Sequence, residues 1–243
     1  MKRVLFIIFL ILILSKVYPQ ENVVPQAGMI TEANLKAIGN ITPYSTGGVG
    51  FDNRYEGIKG SPRLFDKLLP SFLKVKGQSS ILELESNLDL IGNSLLFNYP
   101  KTSKLVSIPS EIINEVRIKS EGKELVFRVT REKDFEREIK DGKFYQVLKE
   151  GQYEFIKLPI KRFIPADYKK AYSPDRRYDE YTTDYWYYLM GSDSVFHQIR
   201  LTKKSLMKFF PDKKETIGRT IDEKSYANDE EMVLDILNQV IIK

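Results

Sequence analysis

The chain has 243 residues, of which 42% are hydrophobic and 12% aromatic, and it contains no cysteine. This composition indicates a folded globular protein and excludes disulfides, thiol nucleophiles and thiolate metal sites. The formal net charge is +5, but Lys2, Arg3 and Lys16 precede the first acid, Glu21, which leaves 35 of the 38 basic residues against 33 acids. Such an even balance argues against nucleic acid as a partner, because phosphate binding needs a dense cationic surface.

The N-terminus begins with Lys2 and Arg3 followed by an unbroken apolar run over residues 4–14. A basic start before a short apolar run is typical of a secretory signal peptide, whereas a membrane-spanning helix needs about 20 apolar residues. We therefore predict a signal peptide over residues 1–19 and export to the periplasm or the cell surface, with no permanent membrane span after cleavage. Ser15 and Val17 are the candidate small residues before a cleavage site, and an uncleaved anchor is the alternative.

Residues 20–60 have little apolar periodicity and contain many turn-forming residues, among them Pro43, Gly47, Gly48 and Gly50. We predict an extended lead-in, with at most one helical turn near residues 33–38.

From about Phe72 to Leu201 the hydrophobic pattern changes to a period of two, and we predict a β domain over residues 61–201. Leu82, Leu84, Leu88 and Leu90 alternate with polar residues, so one side of a strand is predicted to be buried and the other wet. Further β-rich runs occur at residues 95–99, 104–108, 115–118, 125–129, 144–148, 153–163 and 195–201, with turn signals at 91–93, 121–123, 141–143, 150–152 and 191–193. Because short turns join antiparallel strands, we predict a mainly β domain built as an antiparallel meander, either a barrel or a strongly bent sheet.

Residues 202–243 are predicted to form a short helical tail packed on the same domain. Pro211 should end a first helix, and Asp212 with Glu215 and Asn228 with Glu231 have the spacing of capping boxes for two more. An apolar stripe at helical spacing marks the face that should pack on the sheet: Met232, Val233, Ile236, Leu237, Val240 and Ile241.

The residues offer few routes to catalysis. His197 is the only histidine, no G-x-S-x-G turn presents a serine, and neither a zinc site nor a calcium loop can be built from the usual motifs. We therefore predict no metal and no cofactor, and we interpret His197 as a half-buried residue of a strand. Paired carboxylates, which glycoside hydrolases use, remain available.

The segment from Tyr168 to Tyr188 is unusually aromatic, since it holds seven of the 14 tyrosines and Trp186, the only tryptophan, interleaved with charges. Such residues are frequent in contact surfaces. Strand alternation places Tyr181, Tyr185 and Tyr187 on one face and Trp186 on the other, so one face should be core. The candidate binding residues are Tyr172, Arg176, Arg177, Tyr178, Asp179, Tyr181, Trp186 and Tyr188.

Two motifs carry a resemblance to a known family. The stretches at residues 55–62 (YEGIKGSP) and 166–181, which contains RRYDEY, resemble those of a family of exported bacterial proteins without an assigned function. The likeness extends from about residue 47 to the C-terminus and includes the lysine-rich stretch at 203–206. It implies a bacterial envelope or secreted setting, and it implies no activity.

The sequence therefore predicts an exported, non-catalytic protein that binds or scaffolds a partner, either an envelope protein or a glycan, through the aromatic-rich surface. The alternative is a carboxylate-dependent glycan hydrolase of the cell envelope, with Asp175, Asp179, Glu180 or Asp184 as candidate acids.

Overall fold

The structure, a computed structural model, describes residues 31–45, 58–99, 104–166 and 178–241. In these ranges the strands are β1 (Leu69–Val75), β2 (Ile81–Asp89), β3 (Ser94–Tyr99), β4 (Lys104–Pro109), β5 (Ile113–Ser120), β6 (Lys123–Val129), β7 (Phe144–Lys149), β8 (Phe155–Ile164), β9 (Glu180–Met190) and β10 (Phe196–Ile199). The helices are α1 (Glu32–Ile41), α2 (Lys203–Phe209), α3 (Lys214–Glu223) and α4 (Asp229–Ile236), and α4 continues as a π-helical turn at Leu237–Ile241.

The strands form one antiparallel sheet in the order β10-β9-β8-β7-β6-β5-β1-β2-β3-β4, which confirms the predicted meander. Between the described strands the sheet is open, with β10 and β4 at its edges, so it is not a closed barrel.

The sheet is strongly bent where β4 leads into β5. Only the 3₁₀ turn Ser110–Ile112 joins these two strands, yet β5 pairs with β1 on the far side of β2 and β3. In a flat sheet four strand spacings would separate them by about 19 Å, whereas this link reaches about 13 Å even when fully extended. The first five strands must therefore curl around their buried side chains.

The strand limits follow the alternation and the turn residues. Leu82, Leu84 and Leu88 are fully buried, as the period-two pattern predicts. Gly122 and Gly142 have positive φ angles in the predicted turns, a conformation that side chains with a Cβ disfavour. β1 was not among the predicted strands.

The lead-in contains a ten-residue helix, α1, where the sequence predicted extended chain with at most one helical turn near residues 33–38. Ile38 and Ile41 are fully buried in the main core. The buried amide of Asn34 donates from Nδ2 to the main-chain oxygen of Glu83 (3.0 Å) and accepts from its N–H at Oδ1 (3.1 Å). These contacts to β2 add to the burial of Ile38 and Ile41 in holding the helix against the sheet.

The sheet has two differently covered faces. The row Phe127, Gln146, Lys157 and Tyr187 lies on one face, which we call the helix face, and the row Val126, Val147, Ile156 and Tyr188 lies on the opposite, back face. On the helix face the C-terminal helices cover Phe155 and Leu189, and on the back face Phe135 and neighbouring residues cover the ends of β7 to β9.

The C-terminal helices are capped partly as predicted. Asn228 accepts at Oδ1 from the N–H of Glu231 (2.9 Å), and Glu231 in turn accepts from the N–H of Ala227 (2.8 Å). The predicted cap at Asp212 is wrong, because the 3₁₀ turn Pro211–Lys213 runs directly into α3 and the N-cap residue is Lys213. No helix in the described part of the chain has the length and apolarity needed to cross a membrane.

Candidate binding site at the edge of β9

The predicted binding residues fall into three groups. Tyr172, Arg176 and Arg177 lie outside the described residues. Tyr188 lies in the core. Tyr178, Asp179, Tyr181 and Trp186 lie in or just before the outer part of β9.

Tyr188 is a core residue, which corrects its assignment to a binding surface. Its side chain is 2% exposed, and its ring meets that of Phe135 edge-to-face at 5.2 Å between centroids. Burial raises the pKa of Tyr188 to about 12. Trp186, two residues earlier on the same face, lies beyond the Phe135 cover and is 37% exposed.

The two sequence motifs meet at the start of β9. Lys59 donates its N–H to the main-chain oxygen of Asp179 (2.8 Å) and accepts from the N–H of Tyr181 (2.9 Å). Gly60 has a φ of +78°, and a Cβ there would lie 2.9 Å from the main-chain oxygen of Tyr181. Glycine is therefore required for this close approach. Asp179 also accepts from the N–H of Ala166 (2.7 Å), which ties the two ends of the β8–β9 connection.

Two exposed aromatic residues of this region were not among the predicted binding residues. Tyr185, on the helix face, and Phe163 are each 45% exposed. The centroid of the Phe163 ring lies 5.1 Å from that of Tyr181. The signal that could have identified Phe163 is its register opposite Tyr181, which depends on the length of the hairpin between them.

The outer edge of β9 lacks a neighbouring strand over Thr182–Trp186 among the described residues. β10 pairs only with residues 187–190, and Lys59 forms a single bridge at Glu180. Since Asp179 and Tyr181 direct their main-chain groups toward Lys59, alternation directs those of Thr183 and Tyr185 toward the same edge. Unpaired main-chain groups at a sheet edge are a template for another strand.

A cleft of about 630 Å³ lies beside this edge, where the chain turns away from β9 after Ile199. We call it the edge cleft. Its lining includes Tyr185, Trp186, Gln198, Arg200, Asn228 and Asp229. Three aromatic residues, counting Tyr187, two amides and charges of both signs thus line the cleft beside this stretch of main chain.

A half-buried group of Lys157, Glu230 and Tyr187 lies against the ring of Tyr185 and beside it on the helix face. Nζ of Lys157 lies 4.3 Å from the centroid of the Tyr185 ring and 2.6 Å from Oε1 of Glu230. The hydroxyl of Tyr187 donates to the same oxygen at 2.6 Å, and burial followed by this hydrogen bond raises the pKa of Tyr187 well above its usual value. Oε1 of Glu230 thus accepts hydrogen bonds from both Lys157 and Tyr187, and we interpret Glu230 as a residue that stabilises the fold.

The candidate acids of the hydrolase alternative do not form a pair within the described residues. Glu180 and Asp184 share a face but lie four residues apart, about 13 Å along a strand, whereas glycosidase carboxyls lie about 5–9.5 Å apart. Glu180 contacts Lys59 and Asp184 contacts Arg162. Asp175 lies outside the described residues. No group of three possible metal ligands was found in the described part of the chain.

His197 is half-buried, as the sequence predicted, and both ring nitrogens face carboxylates. Nδ1 lies 3.1 Å from Oε2 of Glu136, and Nε2 lies 3.0 Å from Oδ2 of Asp193. Burial alone would lower the pKa of His197, but the hydrogen bonds to Asp193 and Glu136 outweigh it and raise the pKa. Because the two acids contact opposite sides of the ring, the group fastens β10 to its neighbours.

No family model, no curated protein and no solved structure matches this chain.

Proposed function

We propose that this protein is an exported, non-catalytic component of the cell envelope or secreted fraction that binds an extended segment of a partner protein in the edge cleft. The observation that carries the proposal is the edge of β9 at Thr182–Trp186, which no other described strand pairs and which the exposed rings of Tyr185 and Trp186 flank.

The open edge favours a polypeptide partner over a glycan. An added strand would bond to the main-chain groups of Thr183 and Tyr185, which gives affinity independent of side chains. Tyr185 and Trp186 lie on opposite faces of the strand, so their rings would contact successive side chains of such a segment.

Export is supported by the sequence alone. The basic start and the apolar run at 4–14 are typical of a signal peptide, and they lie outside the described residues. The resemblance to exported bacterial proteins agrees with this setting.

Site-specific photo-crosslinking in cells tests the binding proposal. A benzoylphenylalanine in place of Tyr185 should give a discrete protein adduct after irradiation. The matched control replaces Tyr44, which is 57% exposed beside α1 at the far end of the sheet.

The proposal requires an adduct from position 185 that is sensitive to protease and absent at position 44. Equal adducts at both positions, no adduct at 185, or an adduct made of protease-resistant glycan would contradict it. Fractionation of the same cells tests export separately, because a cytosolic location would leave the cleft intact and remove only the envelope assignment.

A further inference from the structure

The segment from α2 to the start of α3 is rich in lysine. Residues 203–214 contain five lysines and one acid, Asp212, whereas the chain beyond residue 20 has nearly equal numbers of bases and acids. This segment is therefore locally cationic, although bases and acids are nearly equal in number over the chain beyond residue 20.

A depression of about 670 Å³ lies on this segment, lined by Lys203, Lys204, Met207, Lys208, Pro211 and Lys214. We call this set the lysine rim. On the other side of α2, Leu206 is fully buried against the C-terminal core, so the helix is anchored through that residue. The lysine rim thus places four ammonium groups around Pro211 and around Met207, which is partly exposed and also packs on the C-terminal core.

Most of this charge is not neutralised within the described residues. Lys203 forms an ion pair with Asp222, with Nζ to Oδ2 at 2.6 Å. No carboxylate of a described residue lies within 4.0 Å of the ammonium group of Lys204, Lys208 or Lys214. A surface with three such cations around an apolar centre calls for a partner that is both anionic and apolar.

We propose that the lysine rim docks the protein on the surface of an anionic lipid bilayer. Lysine side chains keep their ammonium groups at the level of the phosphates while their aliphatic parts and Met207 contact the acyl boundary. A nucleic acid or a soluble polyanion would satisfy the charges and leave Met207 and Pro211 unused. The proposal is independent of the edge cleft, which lies at the N-terminus of α4 and the edge of β9.

Vesicle co-sedimentation of the protein as isolated from cells tests the proposal. The readout is the gain in partition when vesicles of phosphatidylcholine are replaced by vesicles containing 30% phosphatidylglycerol. This difference cancels any charge-independent contribution of the N-terminal apolar run. Each lysine near an anionic surface strengthens binding about fivefold. In the triple variant Lys204→Gln, Lys208→Gln, Lys214→Gln, the partition coefficient on the anionic vesicles should therefore fall about 100-fold relative to that on the neutral vesicles.

A matched triple variant controls for net charge. Lys36, Lys74 and Lys123 are exposed and lie outside the rim, so replacing them with glutamine makes the same change of three charges. Met207→Gln should weaken vesicle binding without weakening binding to a short DNA duplex or to inorganic phosphate.

The proposal requires that only the rim variants lose the gain and that 0.5 M salt abolishes it. It is overturned if the wild type shows no gain, if both triple variants lose it equally, or if a DNA duplex or millimolar phosphate displaces the protein while Met207→Gln binds vesicles normally. The last result would assign the rim to soluble anions.

Discussion

The inner and outer halves of β9 have similar aromatic composition and opposite roles. In the inner half, residues 187–190 lie between β8 and β10, and Tyr188 and Leu189 are buried on opposite faces. In the outer half, Tyr185 and Trp186 also lie on opposite faces, but both are exposed. Alternation decides the face of each side chain, whereas distant segments decide whether that face is covered.

The largest effect is expected from the pair Tyr188→Ala and Tyr185→Ala. Tyr188→Ala removes a buried ring and should lower the free energy of unfolding by about 3–5 kcal/mol. Tyr185→Ala removes an exposed ring over Lys157 and should cost about 1 kcal/mol or less. Urea denaturation followed by circular dichroism measures both, and similar costs would show that the two halves are equally buried.

Proline substitutions at two neighbouring positions distinguish the edge of β9 that pairs with β8 from the opposite edge, which faces the edge cleft. Main-chain alternation directs the N–H of Thr182 toward β8 and that of Thr183 toward the edge cleft. Thr182→Pro, compared with Thr182→Ala, should cost about 1–3 kcal/mol because it leaves an acceptor of β8 unpaired.

Proline at an edge position whose N–H faces solvent is tolerated, so Thr183→Pro should differ little in stability from Thr183→Ala. The alanine reference at position 183 removes the hydrogen bond from Lys161 to the hydroxyl of Thr183 in both variants. Equal proline-minus-alanine differences at positions 182 and 183 would contradict the open edge.

The sequence was sufficient for the parts of the fold that depend on local pattern. The alternation of Leu82, Leu84 and Leu88 located β2, and Asn228 with Glu231 located the start of α4. The sequence was insufficient where a contact between residues far apart in the chain decides whether an element forms. α1 depends on the two hydrogen bonds between Asn34 and the main chain of Glu83, and neither residue signals the other.

The candidate site was predictable only in part for the same reason. The aromatic segment pointed to β9, but the edge cleft combines it with residues 198–202 and 228–230 from two other elements. Its existence depends on β10 ending at Ile199, and the apolar pattern continues to Leu201 without marking that end.

A smaller effect is expected from Tyr187→Phe, which removes a hydrogen bond that links the inner half of β9 to α4. The variant removes the hydrogen bond to Glu230 and should cost about 1 kcal/mol at pH 8. The raised pKa of Tyr187 means that the unfolded chain loses this proton near pH 10 while the native protein retains it. The stability of the wild type should therefore fall relative to the variant as the pH rises above 10. Tyr153→Phe is the control, since among the described residues its ring packs on Phe210 and its hydroxyl has no hydrogen bond.

The smallest effect concerns the attachment of β10, the strand that distinguishes the two halves. Because the folded pKa of His197 is raised above its usual value of 6.5, its contribution to stability is complete below pH 6.5 and is lost as the pH rises through the folded pKa. Amide hydrogen exchange at residues 187–190 and 196–199, corrected for intrinsic rates, should accelerate modestly between pH 6 and pH 8, while residues 182–186 should show no such change. His197→Gln should exchange at a rate independent of pH in this range. An unchanged pH response in that variant would mean that Glu136 and Asp193 do not hold β10 through the imidazolium.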